Sequence, residues 1–332
     1  LAGGKLKAGN ALDLKANQLA LSAQTSATNT NIQAQQFTLD ENGLIVSLNN
    51  TALNASNADV WGQMYSSAAN FNIGGTLNSA NKTLVSVLNL NTVNAKDLNL
   101  KGLWEAGNLT LTAVNSLQQA GAIYAQNNLA LQANAMSLTG AVQAGHKLNA
   151  NAVQQLTVDS QAQLFSSDSI ELSADAIQLD GYAGAENSMT AIAANNLTAG
   201  TAAQLESNGL IALQSKNADI DLQGKTYAQN QTISAQKNLN IAAGASVTTV
   251  GDLNITADTL NNTGAVNTQH LTKAQLKKLN NQGSLISDKF ELGTLDSLNN
   301  SGKLISNQDL ELNTAALTNT QNSILAGNSN LN

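Results

Sequence analysis

The chain has 332 residues, a formal net charge of -7, 42% hydrophobic residues and only 3% aromatics, so any core it buries is built from Leu, Ile, Val and Ala. Cysteine is absent, which excludes disulfides and thiolate metal sites, and every basic residue is Lys in an acidic balance, which argues against binding a nucleic-acid backbone. Proline is absent too, as expected of a backbone hydrogen-bonded along a continuous sheet, since Pro cannot donate to a ladder.

No apolar run approaches the ~18 residues that span a bilayer, and the chain opens at Leu1 without Met, basic n-region or h-region, so it reads as a piece of something longer. Short period-two doublets then return about every 20 residues, the mark of a solenoid. Successive rungs fall at Leu12, Ile32, Leu53, Phe71, Leu90, Leu109, Leu129, Leu148, Ile170, Met189, Ile211, Ile233, Leu253, Leu271, Phe290, Leu310 and Leu331. Residues 1–107 are less regular, with longer apolar runs at Leu44–Leu48 and Leu84–Leu88, and residues 108–332 repeat plainly. The expectation is one β-helical domain over 1–332.

Each level reads as three short arms. The first is the doublet, as in Leu109-Thr-Leu111; the second ends in Asn-Asn and Gly, as in Leu260-Asn-Asn-Thr-Gly264, Leu279-Asn-Asn-Gln-Gly283 and Leu298-Asn-Asn-Ser-Gly302; the third is an apolar pair such as Leu285-Ile286. Asn and Gly suit sharp corners, and stacked corner Asn residues can form side-chain ladders. A level of ~20 residues is too short for a helix pair, since common helical repeats run about 33–47 residues. The one helix-like stretch, Leu271–Leu279, keeps its leucines on the ladder and is read as an ordinary level. The predicted fold is therefore all-β: a parallel β-helix of about seventeen levels, ~75–80 Å long at a strand spacing of ~4.8 Å.

Written out, GNLTLTAVNSLQQAGAIYA, GDLNITADTLNNTGAVNT and NQDLELNTAALTNTQNSILAG resemble the repeats of filamentous haemagglutinin-type exoproteins, which include contact-dependent growth-inhibition effectors. The resemblance is good from about Gly107 onward and looser before it. It implies a right-handed β-helical filament exported through a two-partner secretion system of Gram-negative bacteria, with an outer-membrane transporter as export partner. The filament would serve adhesion or carry a toxin. This chain then reads as a stalk segment, secreted and held at the cell surface. The alternatives are that it contains the region recognising a target-cell receptor or glycan, or that it is a polysaccharide-processing β-helix.

Neither cofactor nor metal is indicated. Glycosidase chemistry needs carboxylates about 5–9.5 Å apart, for which Asp168, Glu171, Asp175 and Asp180, or Asp219 with Asp221, are the candidates. Outward carboxylates are also what solubility requires, and without Arg there is no guanidinium for an anionic transition state, so a nonenzymatic protein is expected. His146 and His270 lie six levels apart, and no Walker, dinucleotide or G-x-S-x-G motif occurs.

Tyr65, Trp104, Tyr124, Phe165, Tyr182 and Tyr227 all map to the third arm. In its G-x-L-x-A pattern the middle residue faces the bore, as with Leu103, Ile123 and Leu304, and the next faces out. That places Trp104, Tyr124, Phe165, Ile286, Ile305 and Leu325 in an outward stripe, and a slip of one residue returns them to the core. Trp61, Tyr65, Trp104 and Tyr124 are the candidate partner-contact patch, because exposed apolar strips mark contact surfaces.

Overall fold

In a computed structural model that describes residues 2–328, the chain is all-β: a parallel β-solenoid of about 17 turns, with equivalent positions roughly 19 residues apart. No helix occurs among the described residues, so none there is long and apolar enough to cross a membrane. Among the described residues the strand pairings are parallel, with one level the hydrogen-bonding partner of the next, as with Leu111↔Leu131 and Val142↔Leu164. A ladder of this kind uses every N–H in turn, which is why a chain without Pro can sustain it.

The chain contacts divide it into two compact units, Leu1–Gln154 with Ala162–Ser167, and Gln155–Gln161 with Asp168–Asn332. The same three-arm level recurs in both. In the first unit the inward columns are Leu53-Phe71-Val93-Leu111 on the first arm and Ile45-Met64-Val85-Trp104-Ile123 on the third, all buried. In the second, Leu239-Leu260-Leu279-Leu298 stack on the second arm and Val247-Val266-Leu285-Leu304 on the third. Each leucine so buried contributes ~1.5–3 kcal/mol of apolar transfer.

The Leu-Asn-Asn-x-Gly pieces of the second unit alternate as strands do. Their leucines point in, the first Asn points out and the second points in. The inner amides form a ladder, buried from Asn262 to Asn300, in which Asn262 Nδ2 donates to Asn281 Oδ1 at 2.8 Å, Asn281 to Asn300 at 2.8 Å and Asn300 to exposed Asn319 at 2.7 Å. The second proton of each goes to a main-chain carbonyl, of Ser284, Lys303 and Ile324 respectively. The outer ladder runs the other way, from Asn299 through Asn280, Asn261 and Asn240 to the carboxylate of Asp221, with steps of 2.7 to 3.0 Å. Glycine ends the motif because the corners stack: a Cβ on Gly283 would lie 2.1 Å from the Gly264 carbonyl oxygen, and one on Gly302 equally close to that of Gly283.

Several expectations change. Leu90 is not a rung: it is exposed, and Asn91 and Val93 take the inward places beside it. Leu271–Leu279 lies within strand Ala265–Asn281, with both leucines buried. The rung assigned to Leu331 lies outside the described residues. Trp104 faces the bore and not solvent, because it stacks in register on Ile123, while its neighbour Leu103 stacks on Ala122 and faces out. Leu325 likewise stacks on Leu304 in the inward column, and Ala326 follows Ile305 outward.

Candidate functional site

Trp104 accordingly leaves the proposed patch. Its ring is fully buried, its Nε1 donates to Ser79 Oγ at 3.2 Å, and that hydroxyl also bonds the main chain of Lys101 in both directions at 2.8 Å. Trp61 is exposed, but it sits at the corner before the third arm, where its main-chain N–H donates to the Leu39 carbonyl. Tyr65 and Tyr124 are the two that face out along the third arm, each 37% exposed.

Register brings these tyrosines into one column. Val46, Tyr65, Ser86, Glu105 and Tyr124 occupy equivalent outward positions on five consecutive levels of the first unit. Beside this column the corners alternate in length. Between Ser47 and Asn50 and between Val87 and Leu90 the chain carries two residues, Leu48-Asn49 and Leu88-Asn89; on the levels after each it carries one, Ser67 and Gly107. The longer corners push Leu48 and Leu88 outward, leaving them 71% and 66% exposed. The shorter ones leave gaps. Gly107 is required in its gap, because a Cβ there would meet the carbonyl oxygens of Leu88 and Asn89 at 2.5 and 2.6 Å.

The result is a groove of about 370 Å³ along the stacking direction, between projecting leucines and outward tyrosines. Three of the four serines of its floor are engaged within the fold. Ser47 Oγ donates to Thr30 and accepts from Thr51, Ser66 Oγ bonds the carbonyls of Asn49 and Ala68, and Ser67 Oγ accepts from Asn89 Nδ2. Glu105 is the one charged residue of the lining, half-buried, and no hydrogen bond or ion pair engages it among the described residues.

The outward third-arm column of the second unit is different: Gly184, Glu206, Tyr227, Thr248, Asn267, Ile286 and Ile305. The isoleucines are half-covered there as expected, within a mostly polar column. Tyr182 is not part of it. Its ring lies across Gly184 and its hydroxyl reaches Glu206 Oε2 at 3.4 Å. Burial first, and then the Glu206 charge and hydrogen bond, raise its pKa above the ordinary 10.0.

The carboxylates weighed for catalysis mostly accept a hydrogen bond from a side-chain amide, and Asp221 ends the outer ladder. Asp168 accepts from Asn187 Nδ2, Asp175 from Asn195, Asp219 from Asn238 and Asp221 from Asn240, at 2.6 to 3.1 Å, and Asp180 accepts from Gln178 at 2.7 Å. Glu171 stands exposed on its strand. His270 faces Asp252 at 3.1 Å, and exposed His146 has its carbonyl taken by the Ser166 hydroxyl. Leu48 and Leu88 were visible in the sequence only as the ends of long apolar runs, and Glu105 carried no signal of its own. A scan against models of protein families, a search of curated proteins and a search of solved structures each return no match.

Proposed function

We propose that the chain is a stalk segment of a secreted filament on a bacterial surface, a spacer that projects an adhesive or toxin-bearing module. The observation that carries this reading is the repetition of one three-arm level in both units, in which each level is the template for the next. Many of its asparagine side chains hold one level to the next, and in the second unit the outer ladder ends on the carboxylate of Asp221. The resemblance of the repeat pieces from Gly107 onward to haemagglutinin-type exoproteins supplies the surface location and the two-partner export route.

Antibodies against the purified chain should label intact cells of the source bacterium, and labelling only after permeabilisation would overturn the surface assignment. Removing residues 246–283 takes out two whole levels and rejoins equivalent positions, since Ser246, Ala265 and Ser284 are in register. A filament so shortened should still be exported and still support cell contact. Loss of contact with export intact would show that the segment does more than space.

A second reading, that the chain also contacts a partner, is favoured by the groove between Leu48 and Leu88. Binding of the purified chain to target cells, lost on substitution of Tyr65 and Tyr124, would establish it.

A further inference from the structure

We infer that the groove of the first unit takes a short extended segment of a partner protein carrying one Lys or Arg between apolar residues, with the cation over Glu105. The inference stands apart from the spacer reading, because a spacer needs no groove.

Three observations fix the chemistry of the occupant. The third-arm strands are hydrogen-bonded on both sides at these levels, so no sheet edge is offered and recognition falls to side chains. Three of the four serine hydroxyls of the lining, those of Ser47, Ser66 and Ser67, already serve their own fold, which leaves Ser86 and the Gln126 amide as its neutral polar side chains beside the tyrosine hydroxyls. The rest of the lining is dominated by aliphatic walls at Leu48 and Leu88, two tyrosine rings and one unpaired carboxylate. Apolar side chains fit the walls, and a single cation fits the carboxylate.

The spacing agrees. Glu105 and Tyr124 are in register on adjacent levels, ~4.8 Å apart, so a cation paired with the carboxylate lies within the ~6 Å reach of a cation–π contact with the ring. Tyr65 stands two levels away on the other side. Five levels span ~19 Å, the length of about six extended residues at ~3.3 Å each. The lining holds no cation of its own, so a positively charged side chain complements the Glu105 carboxylate.

The test is a positional library of capped hexapeptides presented to the whole chain and to Glu105→Gln, Glu105→Lys and Leu48→Ser/Leu88→Ser variants, each first checked for an unchanged urea midpoint. The wild type should select Lys or Arg at one position with Leu, Ile, Val or Phe around it. Glu105→Gln should weaken those peptides about tenfold, the worth of a charged hydrogen bond, and Glu105→Lys should turn the selection toward Asp or Glu. The double leucine variant should lose the apolar preference and keep the cation. Retention of no peptide, selection without a cation, or equal binding by Glu105→Gln would each overturn the inference. So would binding of oligosaccharides or phospholipid vesicles at this face in place of peptides.

Discussion

Trp104 and Phe71 meet edge to face across the bore of the first unit, their ring centroids 6.3 Å apart and their planes at 76°. On the level between them the same two columns hold Val85 and Val93, and two such small side chains leave room for the indole to lie inside. The contact joins the third arm to the first, and the Ser79 hydrogen bond ties the same ring to the end of a second-arm strand. One side chain thereby touches all three walls of the solenoid.

Replacing Trp104 by Ser should therefore cost several kcal/mol, about 3–5 as for large aromatic truncations in cores, and the thermal midpoint should fall accordingly. Tyr65→Ser and Tyr124→Ser should each change stability by only about 0.5 kcal/mol, as is usual at surface sites. Urea unfolding of the three variants separates core from surface. Equal losses would return all three residues to one environment.

Asn91 is fully buried and neither its amide nitrogen nor its oxygen has a hydrogen-bond partner in the described structure. Its successors in the same inward column are Leu109 and Leu129. Asn91→Leu removes two orphaned polar atoms and continues the leucines of the next two levels onto a level whose other neighbour is the small Ala69, so it should stabilise the fold by about 1–3 kcal/mol. A lowered urea midpoint would contradict this.

In the buried ladder, Asn281 accepts from Asn262 and donates to both Asn300 and the Lys303 carbonyl. Asn281→Ala leaves those groups unmatched out of water, at about 1–3 kcal/mol for each group orphaned. Asn280→Ala, one residue away in the outer ladder, exposes its neighbours to solvent and should cost far less. The difference between the two, measured by chemical unfolding, isolates the inner ladder. Near-equal effects would show that facing is unimportant there.

Tyr182 supplies a pH dependence whose sign follows from its surroundings. Burial and Glu206 raise the phenol above 10.0 in the folded chain, so the native state holds this proton more tightly than the unfolded state does. Its contribution to stability is complete below pH 10.0 and is lost as pH rises through the native pKa. Tyr182→Phe should flatten the alkaline limb of the stability profile and remove the late step from the ultraviolet titration of the tyrosines. An unchanged alkaline limb would contradict the assignment.

The solenoid was legible from residue order because strand alternation and corner chemistry are local properties. A doublet such as Leu109-Thr-Leu111 shows which face is buried without reference to any other level, and Leu-Asn-Asn-x-Gly carries its own turn. The facing of residues next to corners was not legible. Whether one residue or two bridges a corner depends on how that level seats on its neighbours, and a single-residue slip exchanges inside for outside. That one variable turned Leu90 out and Asn91 in, and it lifted Leu48 and Leu88 into solvent. Trp104 fell to the same ambiguity: counted from Gly102 as Ile123 is counted from Gly121, it takes the inward place. Local chemistry thus specified a stacked sheet of three-arm levels. Stacking between levels, through corner length, specified which side chains line the bore and which form a groove around Glu105.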